Sequence, residues 1–433
     1  MTLKEAAFEN VPGLNEGLPR SRRRMLAALR HRNYRLFWTG QCISVAGTWM
    51  QNVAQAWLVL ELTNSAFLLG LVGTAQFTPV LLFTLFGGVV ADRVPKRRLL
   101  LITQTLMMVL AFSLGLLVLT GAVQYWHVLT FALLMGTLNA IDIPARQSFI
   151  FELVGKRDLM NGIALHSSLF NAARVVGPAL AGVIIARFGL AVCFLVNAVS
   201  FVAVVVQLIR IRVASCSAAK TGRVLGEIIE GLRYVRQTPA IFFPVLLLGV
   251  VSICALNFNV LVPVLAREVL HRGPQGLGFL LACHGAGALT GALTLAWLSH
   301  GGPRRVLLIG GAVGLCLAQI VIACFDLFWV AAVLLLIAGW SMIIFAGTVN
   351  TTIQLEAADH LRARVMSIFT LVFMGLLPVG NFISGSIAHL WNVQAAFAVG
   401  SSFALVSTFG LTFWQGSKVN QKAPATEASE SAP

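Results

Sequence analysis

The amino-acid sequence predicts an all-α integral membrane protein with twelve transmembrane helices in two related halves. Its 433 residues are 58% apolar and 11% charged, whereas soluble domains carry about 25% charged residues. The mean hydropathy is +0.85. Apolar runs of about 20 residues, the length that crosses about 30 Å of hydrocarbon, recur twelve times. These observations together predict that most of the protein surface faces lipid.

The composition also excludes several classes of function. Sixteen acidic residues are too few to solvate a soluble globule of 46.5 kDa. The formal net charge of +15 comes from short basic segments without interleaved aromatic residues, so it does not indicate a nucleic-acid-binding surface. The seven cysteines include no CxxC pair and no zinc-ligand spacing, and most lie in apolar runs, where cysteine behaves as a small hydrophobe. We therefore predict no nucleic-acid partner, no metal and no cofactor.

The apolar runs are typical of helices rather than of β-barrel strands. Strands of a membrane barrel alternate apolar and polar residues over about 10 residues, and the continuous apolar run at 114–119 does not alternate. The predicted spans are 36–60, 67–91, 99–120, 128–148, 162–186, 189–209, 241–265, 276–298, 306–325, 328–349, 365–388 and 391–413.

The lysine and arginine residues predict the orientation in the membrane. If the N-terminus is cytoplasmic, the cytoplasmic segments hold 27 of these residues, and the other side holds only Arg187, Arg267 and Arg272. Cytoplasmic loops of membrane proteins carry the excess of basic residues. The sequence thus predicts a multi-pass protein with both termini in the cytoplasm.

The longest polar stretch between spans divides the chain into two halves of six spans each. Its apolar residues recur at helical spacing among arginines, which predicts an amphipathic helix at the membrane surface. The halves are related, because Arg97-Arg98-Leu-Leu-Leu-Ile recurs 207 residues later as Arg304-Arg305-Val-Leu-Leu-Ile. Internal repeats are typical of secondary transporters. The predicted domains are a basic tail (1–35), a six-helix bundle (36–209), a linker (210–240), a second bundle (241–413) and a disordered tail (414–433).

The loop after the second span reads Gly88-Val-Val-Ala-Asp92-Arg93-Val-Pro-Lys96-Arg97-Arg98. It resembles the Gly-x-x-x-Asp-Arg/Lys-x-Gly-Arg/Lys-Arg/Lys signature of the major facilitator superfamily, with Pro95 in place of the second glycine. The resemblance implies the facilitator fold of twelve helices. It also implies a latch between the two halves, formed by Gly88, Asp92, Arg93, Lys96, Arg97 and Arg146. A basic loop that only obeys the charge rule is the alternative, but it does not account for Asp92.

The fifth span contains Ala173-Arg174-Val-Val-Gly177-Pro178-Ala-Leu-Ala181-Gly182. This segment is similar to the Gly-x-x-x-Gly-Pro-x-x-Gly-Gly motif of antiporters in the superfamily, with alanine at two glycine positions. Gly177, Pro178 and Gly182 would let neighbouring helices touch and would bend the span. The resemblance implies export, and ordinary packing of small residues is the alternative.

Three further segments resemble one bacterial subgroup of the superfamily, which contains the enterobactin exporter and drug:proton antiporters. They are Arg32-Asn-Tyr-Arg35-Leu-Phe-Trp38 at the first span, Asp142-x-Pro144-Ala-Arg146-Gln147 at the fourth and Asn350-Thr-Thr-x-Gln354 at the tenth. The resemblance covers about residues 30–413. It implies a monomer of the bacterial inner membrane that uses the proton gradient as its energy source.

Charged residues inside the bilayer are costly, so each is a candidate for function. Arg174 lies near the middle of the fifth span, and Asp142 lies in the fourth, antiparallel span. We predict that they pair across the two helices and that a proton on Asp142 releases Arg174. The alternatives are a static salt bridge, or a pair between Asp142 and Arg146 one turn away. His284 in the eighth span is a further proton-coupling candidate, with a structural role as its alternative.

Polar residues in the first span recur every three or four positions, which predicts a face turned to protein or water. That face carries Gln41, Thr48, Gln51 and Gln55, with Asn52 beside it. Further candidates in the seventh, tenth and eleventh spans are Asn257, Asn259, Trp340 and Asn381. We predict that these residues line a central cavity and contact the substrate. Hydrogen bonding between helices is the alternative role.

The sequence therefore predicts a secondary active transporter that exports a small hydrophobic or amphipathic molecule, of the drug or siderophore type, by alternating access. The sequence contains no Walker motif and no hydrolase motif, so we expect neither ATP hydrolysis nor another enzymatic activity. Transport of lysophospholipid or another solute is an alternative within the same fold. A membrane receptor or scaffold without transport is the alternative from a different class.

Overall fold

The computed structural model describes residues 27–212, 224–298, 305–358 and 361–422. Most of the predicted basic tail, the middle of the predicted linker and the end of the predicted C-terminal tail lie outside these residues. In the described part of the chain the regular secondary structure is helical, without a strand.

Five helices and a short turn precede the linker, and nine helices follow from it to the end of the described chain. The first set comprises a 3₁₀ turn (Ala27–Arg30), α1 (Arg32–Thr63), α2 (Ala66–Arg93), α3 (Lys96–Leu119), α4 (Tyr125–Phe188) and α5 (Leu190–Arg210). The second set comprises α6 (Val224–Gln237), α7 (Pro239–Ala255), α8 (Phe258–Val264) with a following π turn (Leu265–Val269), α9 (Pro274–Leu298), α10 (Arg305–Ile322), α11 (Phe328–Glu356), α12 (Arg362–Gly375), α13 (Leu377–Leu390) and α14 (Val393–Lys422).

These helices make twelve membrane crossings. Ten helical segments among the described residues are long and apolar enough to cross a membrane, with α7 to the π turn forming one segment and α12 with α13 another. One of the ten, α4, is 64 residues long, which is enough for two crossings of about 20 residues each and the connection between them. The twelfth crossing is α1, whose 32 residues include the polar face described above. The predicted fold class of two six-helix bundles is confirmed.

The two crossings of α4 are joined by a reversal at Gly155. Its φ is 68°, in the left-handed region that glycine adopts without steric cost. The chain folds back beyond this point, because a Cβ on Gly162 would lie 3.3 Å from the side chains of both Ile150 and Val154. Gly155 therefore reverses the chain between two predicted spans with almost no loop.

Each half packs as a bundle, and two helix pairs join the halves. In the first half α1 packs on α4 and α5, α2 on α4, and α3 on α5. In the second half α9 packs on α11, and α10 packs on α11 and α14. The main contacts between the halves are those of α2 with α13 and of α4 with α9. The transport pathway is therefore expected between these two pairs.

The linker helix α6 lies against the second half. Its Gly231 and Val235 are buried. The carboxylate of Glu230 forms an ion pair with Arg364 of α12 at 2.5 Å. The helix is thus anchored beside the connection between α11 and α12, within the region where the sequence predicted an amphipathic helix.

Candidate transport pathway

The two faces of the helix array differ in charge. One face carries the basic starts of α1, α3 and α10, at Arg32, Lys96 and Arg305, and we call it the basic face. The opposite face carries the turn between α1 and α2 and the start of α9. The contacts between helices are described below by the face that they lie nearer to.

At the opposite face the halves touch through glycines of α2 and α13. A Cβ on Gly70 would lie 3.0 Å from the Cα of Gly385 and 2.6 Å from the carbonyl oxygen of Asn381. The hydroxyl of Thr74 donates a hydrogen bond to the carbonyl oxygen of Pro378 at 3.0 Å. Because small residues allow such close approach of helix backbones, this contact closes the opposite face between α2 and α13.

A second contact closes the opposite face between α4 and α9. A Cβ on Gly278 would lie 2.5 Å from the carbonyl oxygen of Pro178 and 2.8 Å from the Cα of Gly182. Gly177 instead faces α1, where its Cβ would lie 2.5 Å from the Cβ of Trp49. The segment that resembles the antiporter motif therefore packs against its own bundle and against the other bundle.

The side of α4 that contacts α9 is exposed in the part of the helix toward the basic face. Every third or fourth residue before Gly182 lies on this side, namely Pro178, Arg174, Asn171, Ser167, Ala164 and Met160. Ser167 and Ala164 are exposed, and Met160 is 79% exposed. Along α4 the halves are thus in contact near the opposite face, and this contact ends toward the basic face. We interpret this difference as a pathway that opens to the basic face.

Asp142 lies in a buried polar network in the first crossing of α4. Its carboxylate accepts hydrogen bonds from Thr103 at 2.7 Å and from Gln104 at 2.9 Å. It also forms an ion pair with Arg146, one turn along the helix. Arg146 donates a further hydrogen bond to Gln41 of α1 at 2.9 Å. Side chains of α3 and α4 therefore bind one carboxylate, and α1 is linked to it through Arg146.

The predicted pair between Asp142 and Arg174 is not formed in this structure, and the alternative pair with Arg146 is formed. The i, i+4 spacing places Arg146 beside Asp142 on one side of the helix. Arg174 lies instead against two aromatic rings, with its guanidinium carbon 5.3 Å from the ring centre of Trp49 and 5.8 Å from that of Phe170. Its Nε and Nη1 are buried without a hydrogen-bond partner in the described part of the chain.

The three glutamines predicted to line a cavity along α1 bind other side chains. Gln51 accepts a hydrogen bond from Asn197 of α5 at 2.6 Å, and Gln55 donates one to Gln76 of α2 at 3.3 Å. Gln41 binds Arg146, as described above. All three glutamines are buried. In this structure their contacts correspond to the alternative role, hydrogen bonding between helices.

Four of the other cavity candidates are half-buried or exposed. Thr48 is half-buried and donates to the carbonyl oxygen of Ser44 in its own helix at 3.0 Å. Asn52 is also half-buried, and Asn259 is exposed. Trp340 is 36% exposed and donates from Nε1 to a threonine of α9 at 3.2 Å. Their contact with substrate stays a prediction.

Asn257, His284 and Asn381 are buried in the second half, and each keeps a polar atom without a hydrogen-bond partner among the described residues. These atoms are Oδ1 of Asn257, Nε2 of His284 and Nδ2 of Asn381. Asn257 lies in the two-residue break between α7 and α8, and the ring of His284 packs on Phe258 with centroids 4.2 Å apart. Interrupted helices near the membrane centre are typical of transporter binding sites.

The latch residues whose contacts are described bind inside the first half. Lys96 lies 3.1 Å from Glu152 of α4. Arg97 donates to two carbonyl oxygens at the end of α5, at 2.8 and 2.9 Å. Arg93 is exposed. The contacts of two latch residues, Gly88 and Asp92, lie outside the described part of the structure. A latch between the halves therefore stays a prediction.

Several residues of the pathway were not identified from the sequence. Thr103 and Gln104 occur in an apolar span as ordinary polar residues, far from Asp142 along the chain. Gly70 and Gly278 are two of 39 glycines. The spacing of small residues in the sequence indicates helix contacts at these glycines. It does not indicate their partners, because those depend on how the halves pack.

Comparison with known proteins places this arrangement among transporters. Residues 24–432 match the protein family described as transmembrane secretion effector. A solved POT family transporter in complex with 5-aminolevulinic acid superposes with a TM-score of 0.71 at 13% identity, covering 89% of this chain and 96% of that one. The similarity shows a common fold.

Several bacterial transporters are similar to this chain over most of their length. The multidrug efflux pump Tap of Mycolicibacterium fortuitum is 28% identical over 366 residues, which cover 81% of this chain and 88% of that protein. The staphyloferrin A transporter of Staphylococcus aureus is 26% identical, with coverage of 84% and 91%. The enterobactin exporter EntS of Citrobacter koseri is 23% identical, with coverage of 87% and 90%.

Proposed function

Because the chain belongs to the transmembrane secretion effector family of the major facilitator superfamily, we propose that it exports a small hydrophobic or amphipathic molecule in exchange for protons. Similar proteins include a multidrug efflux pump, a staphyloferrin A transporter and an enterobactin exporter, so drug-type and siderophore-type molecules are the proposed substrates. The protein is proposed to act as a monomer in the bacterial inner membrane. Export by alternating access requires a pathway that opens to one face at a time.

The observation that carries this proposal is the difference between the two faces. Glycine contacts join the halves at the opposite face, whereas the facing side of α4 is exposed toward the basic face. The excess of lysine and arginine marks the cytoplasmic side, so the basic face is the proposed cytoplasmic face and holds both termini. The pathway is then open to the cytoplasm, the state in which an exporter takes up its cargo.

Asp142 is the proposed proton-coupling residue, with Arg146 rather than Arg174 as its partner. The carboxylate is fully buried and is bound by Arg146, Thr103 and Gln104. A proton on the carboxylate would remove its charge and weaken its hold on Arg146. Since Arg146 also binds Gln41 of α1, protonation would loosen the contact between α1 and α4. His284 is a second candidate for proton coupling.

A reversible lock on the opposite face tests alternating access. In a background in which the native cysteines are alanine, Gly182→Cys and Gln275→Cys are introduced. A Cβ on Gly182 would lie 3.1 Å from the Cα of Gln275, which is within reach of a disulfide. Proteoliposomes are assayed for gradient-driven accumulation of Hoechst 33342 and of radiolabelled 2-naphthoate. We expect oxidation to abolish the transport of any probe that the reduced protein carries, and reduction to restore it.

A disulfide within one half is the matched control. Ile150→Cys and Gly162→Cys would join the two crossings of α4, where a Cβ on Gly162 lies 3.3 Å from the side chain of Ile150. This lock should leave transport unchanged, because the halves move largely as rigid units. Undiminished transport with the opposite face locked would contradict alternating access. The absence of gradient-dependent transport of either probe would contradict the proposed export of amphipathic molecules.

A further inference from the structure

Arg174 is a half-buried cation whose charge no acidic residue neutralises in the described part of the chain. Its guanidinium lies near the rings of Trp49 and Phe170, and two of its nitrogens are buried without a hydrogen-bond partner in the described part of the chain. A buried charge is costly unless it is paired and hydrogen-bonded. Contacts with aromatic rings offset only part of this cost. Among the described residues the site therefore lacks an anion.

The acidic residues of the helices packed around Arg174 are engaged elsewhere. Those of α4 are Asp142, Glu152 and Asp158, which pair with Arg146, Lys96 and His31. The one acid of α1, Glu61, accepts a hydrogen bond from Trp57 at 2.6 Å, and α9 contains no acidic residue. An anion that completes the site would therefore come from outside these helices.

Arg174 lies where the pathway begins to open. A Cβ on Gly285 of α9 would lie 2.6 Å from the carbonyl oxygen of Arg174, so this position is at the contact between the halves. Arg174 and Trp49 are half-buried, and Phe170 is 39% exposed. Toward the basic face on this side, Asn171 is half-buried and Ser167 is exposed. A molecule that enters from the basic face can thus reach the aromatic rings and the guanidinium.

We propose that Arg174, Trp49 and Phe170 bind the anionic group of an amphipathic aromatic substrate, a carboxylate or phosphate attached to a ring system. This inference rests on the proposed export function and names the class of cargo. A guanidinium presents its donors in a planar fork that fits carboxylate and phosphate oxygens. The two rings offer a surface to the aromatic body of the substrate. An organic cation of the same shape would meet an uncompensated positive charge.

Two probes of similar shape and opposite charge test this proposal, 2-naphthoate and 2-naphthylmethylammonium. Their affinities are measured by equilibrium binding to the full chain in lipid nanodiscs. We expect the wild type to prefer naphthoate and Arg174→Gln to bind naphthoate about tenfold or more weakly. The affinity of Arg174→Gln for the ammonium probe should stay equal or rise. Arg174→Lys keeps the positive charge but lacks the planar donors of the guanidinium, so its loss of naphthoate affinity should be smaller than that of Arg174→Gln.

Arg272→Gln is the matched control. Arg272 also lies over an aromatic ring, 5.2 Å from the centre of Phe328, but it precedes α9 at the opposite face. This variant should leave both affinities unchanged. Thermal unfolding distinguishes a binding role from a structural role. Removing an unpaired buried charge should leave the unfolding midpoint of Arg174→Gln unchanged or higher, whereas removing a structural partner would lower it.

Three results would overturn the anion site. They are equal affinity of the wild type for both probes, an unchanged naphthoate affinity in Arg174→Gln, and a lowered unfolding midpoint in that variant. Failure of the site is distinguishable from failure of export. Gradient-driven transport of Hoechst 33342 without naphthoate binding would leave export in place and reject the site. Naphthoate binding that depends on Arg174, without transport of either probe, would support the site and reject export.

Discussion

The first half of the chain carries a charged pair where the second half carries a neutral pair. In α4, Arg146 donates from Nε to Asp142 four residues earlier, at 3.1 Å. In α11, Gln354 donates to Asn350 with the same i, i+4 spacing, at 2.5 Å. Both residues of the second pair lie 208 positions after those of the first, close to the offset of the repeated basic motif. The two halves keep one local geometry and differ in charge.

The environments of the two pairs differ as well. Asp142 is fully buried and the side chain of Arg146 is 19% exposed, whereas Asn350 is half-buried and Gln354 is exposed. A carboxylate in a buried network changes its hydrogen bonds when it takes up a proton, but an amide does not titrate. The comparison supports the proposal that Asp142 responds to protons, since the corresponding position of the second half carries a neutral amide.

The largest expected effect comes from Asp142→Asn, which breaks the charged pair. Arg146, which is half-buried, would lose its anion, and breaking a buried ion pair costs about 3–5 kcal/mol. We expect a lower midpoint of thermal unfolding and loss of gradient-driven uptake into everted membrane vesicles. Full gradient-driven uptake by this variant would remove Asp142 from the coupling mechanism.

The double variant Asp142→Asn with Arg146→Gln converts the first pair into a copy of the second. No unpaired charge remains, so the unfolding midpoint should return close to the wild-type value. Gradient-driven uptake should stay absent, while exchange of labelled for unlabelled probe across the membrane continues. Recovery of gradient-driven uptake in this variant would show that the charge difference between the halves is not functional.

Thr103→Val tests a smaller part of the network. The hydroxyl of Thr103 donates to Asp142 at 2.7 Å, and the loss of such a bond to a charged group costs about 1.5–3 kcal/mol. We expect a moderate decrease in the free energy of unfolding, smaller than that of Asp142→Asn. Thr290→Val in α9, whose hydroxyl binds only the backbone of its own helix among the described residues, is the control. Equal losses in both variants would argue against a special role for Thr103.

The smallest effect is expected when a charged pair is placed in the second half. Asn350→Asp with Gln354→Arg would reproduce the first pair at a more exposed site, where ion pairs contribute about 0–1 kcal/mol. The unfolding midpoint and gradient-driven uptake should both stay close to wild type. A loss of uptake as large as that of Asp142→Asn would show that the second half is equally sensitive to charge.

The number of crossings was predictable from the sequence because apolar length is a local property of the chain. The contacts of the polar residues were not. Periodicity identified Gln51, but a polar residue can face water or another helix, and its partner Asn197 lies 146 residues away. Arg146 and Arg174 were both available to Asp142, and the packing of the helices decides between them. The same limit applied to Gly70, whose partner belongs to the other half.

Proton movement coupled to substrate tests the central claim most directly. Proteoliposomes that contain a pH-sensitive dye, pyranine, receive a probe that the wild type transports, and the internal pH is followed. The account predicts proton movement opposite to the probe in the wild type. In the double variant Asp142→Asn with Arg146→Gln, it predicts exchange of the probe without proton movement. Proton movement in the double variant equal to that of the wild type would contradict the assignment of coupling to the charged pair.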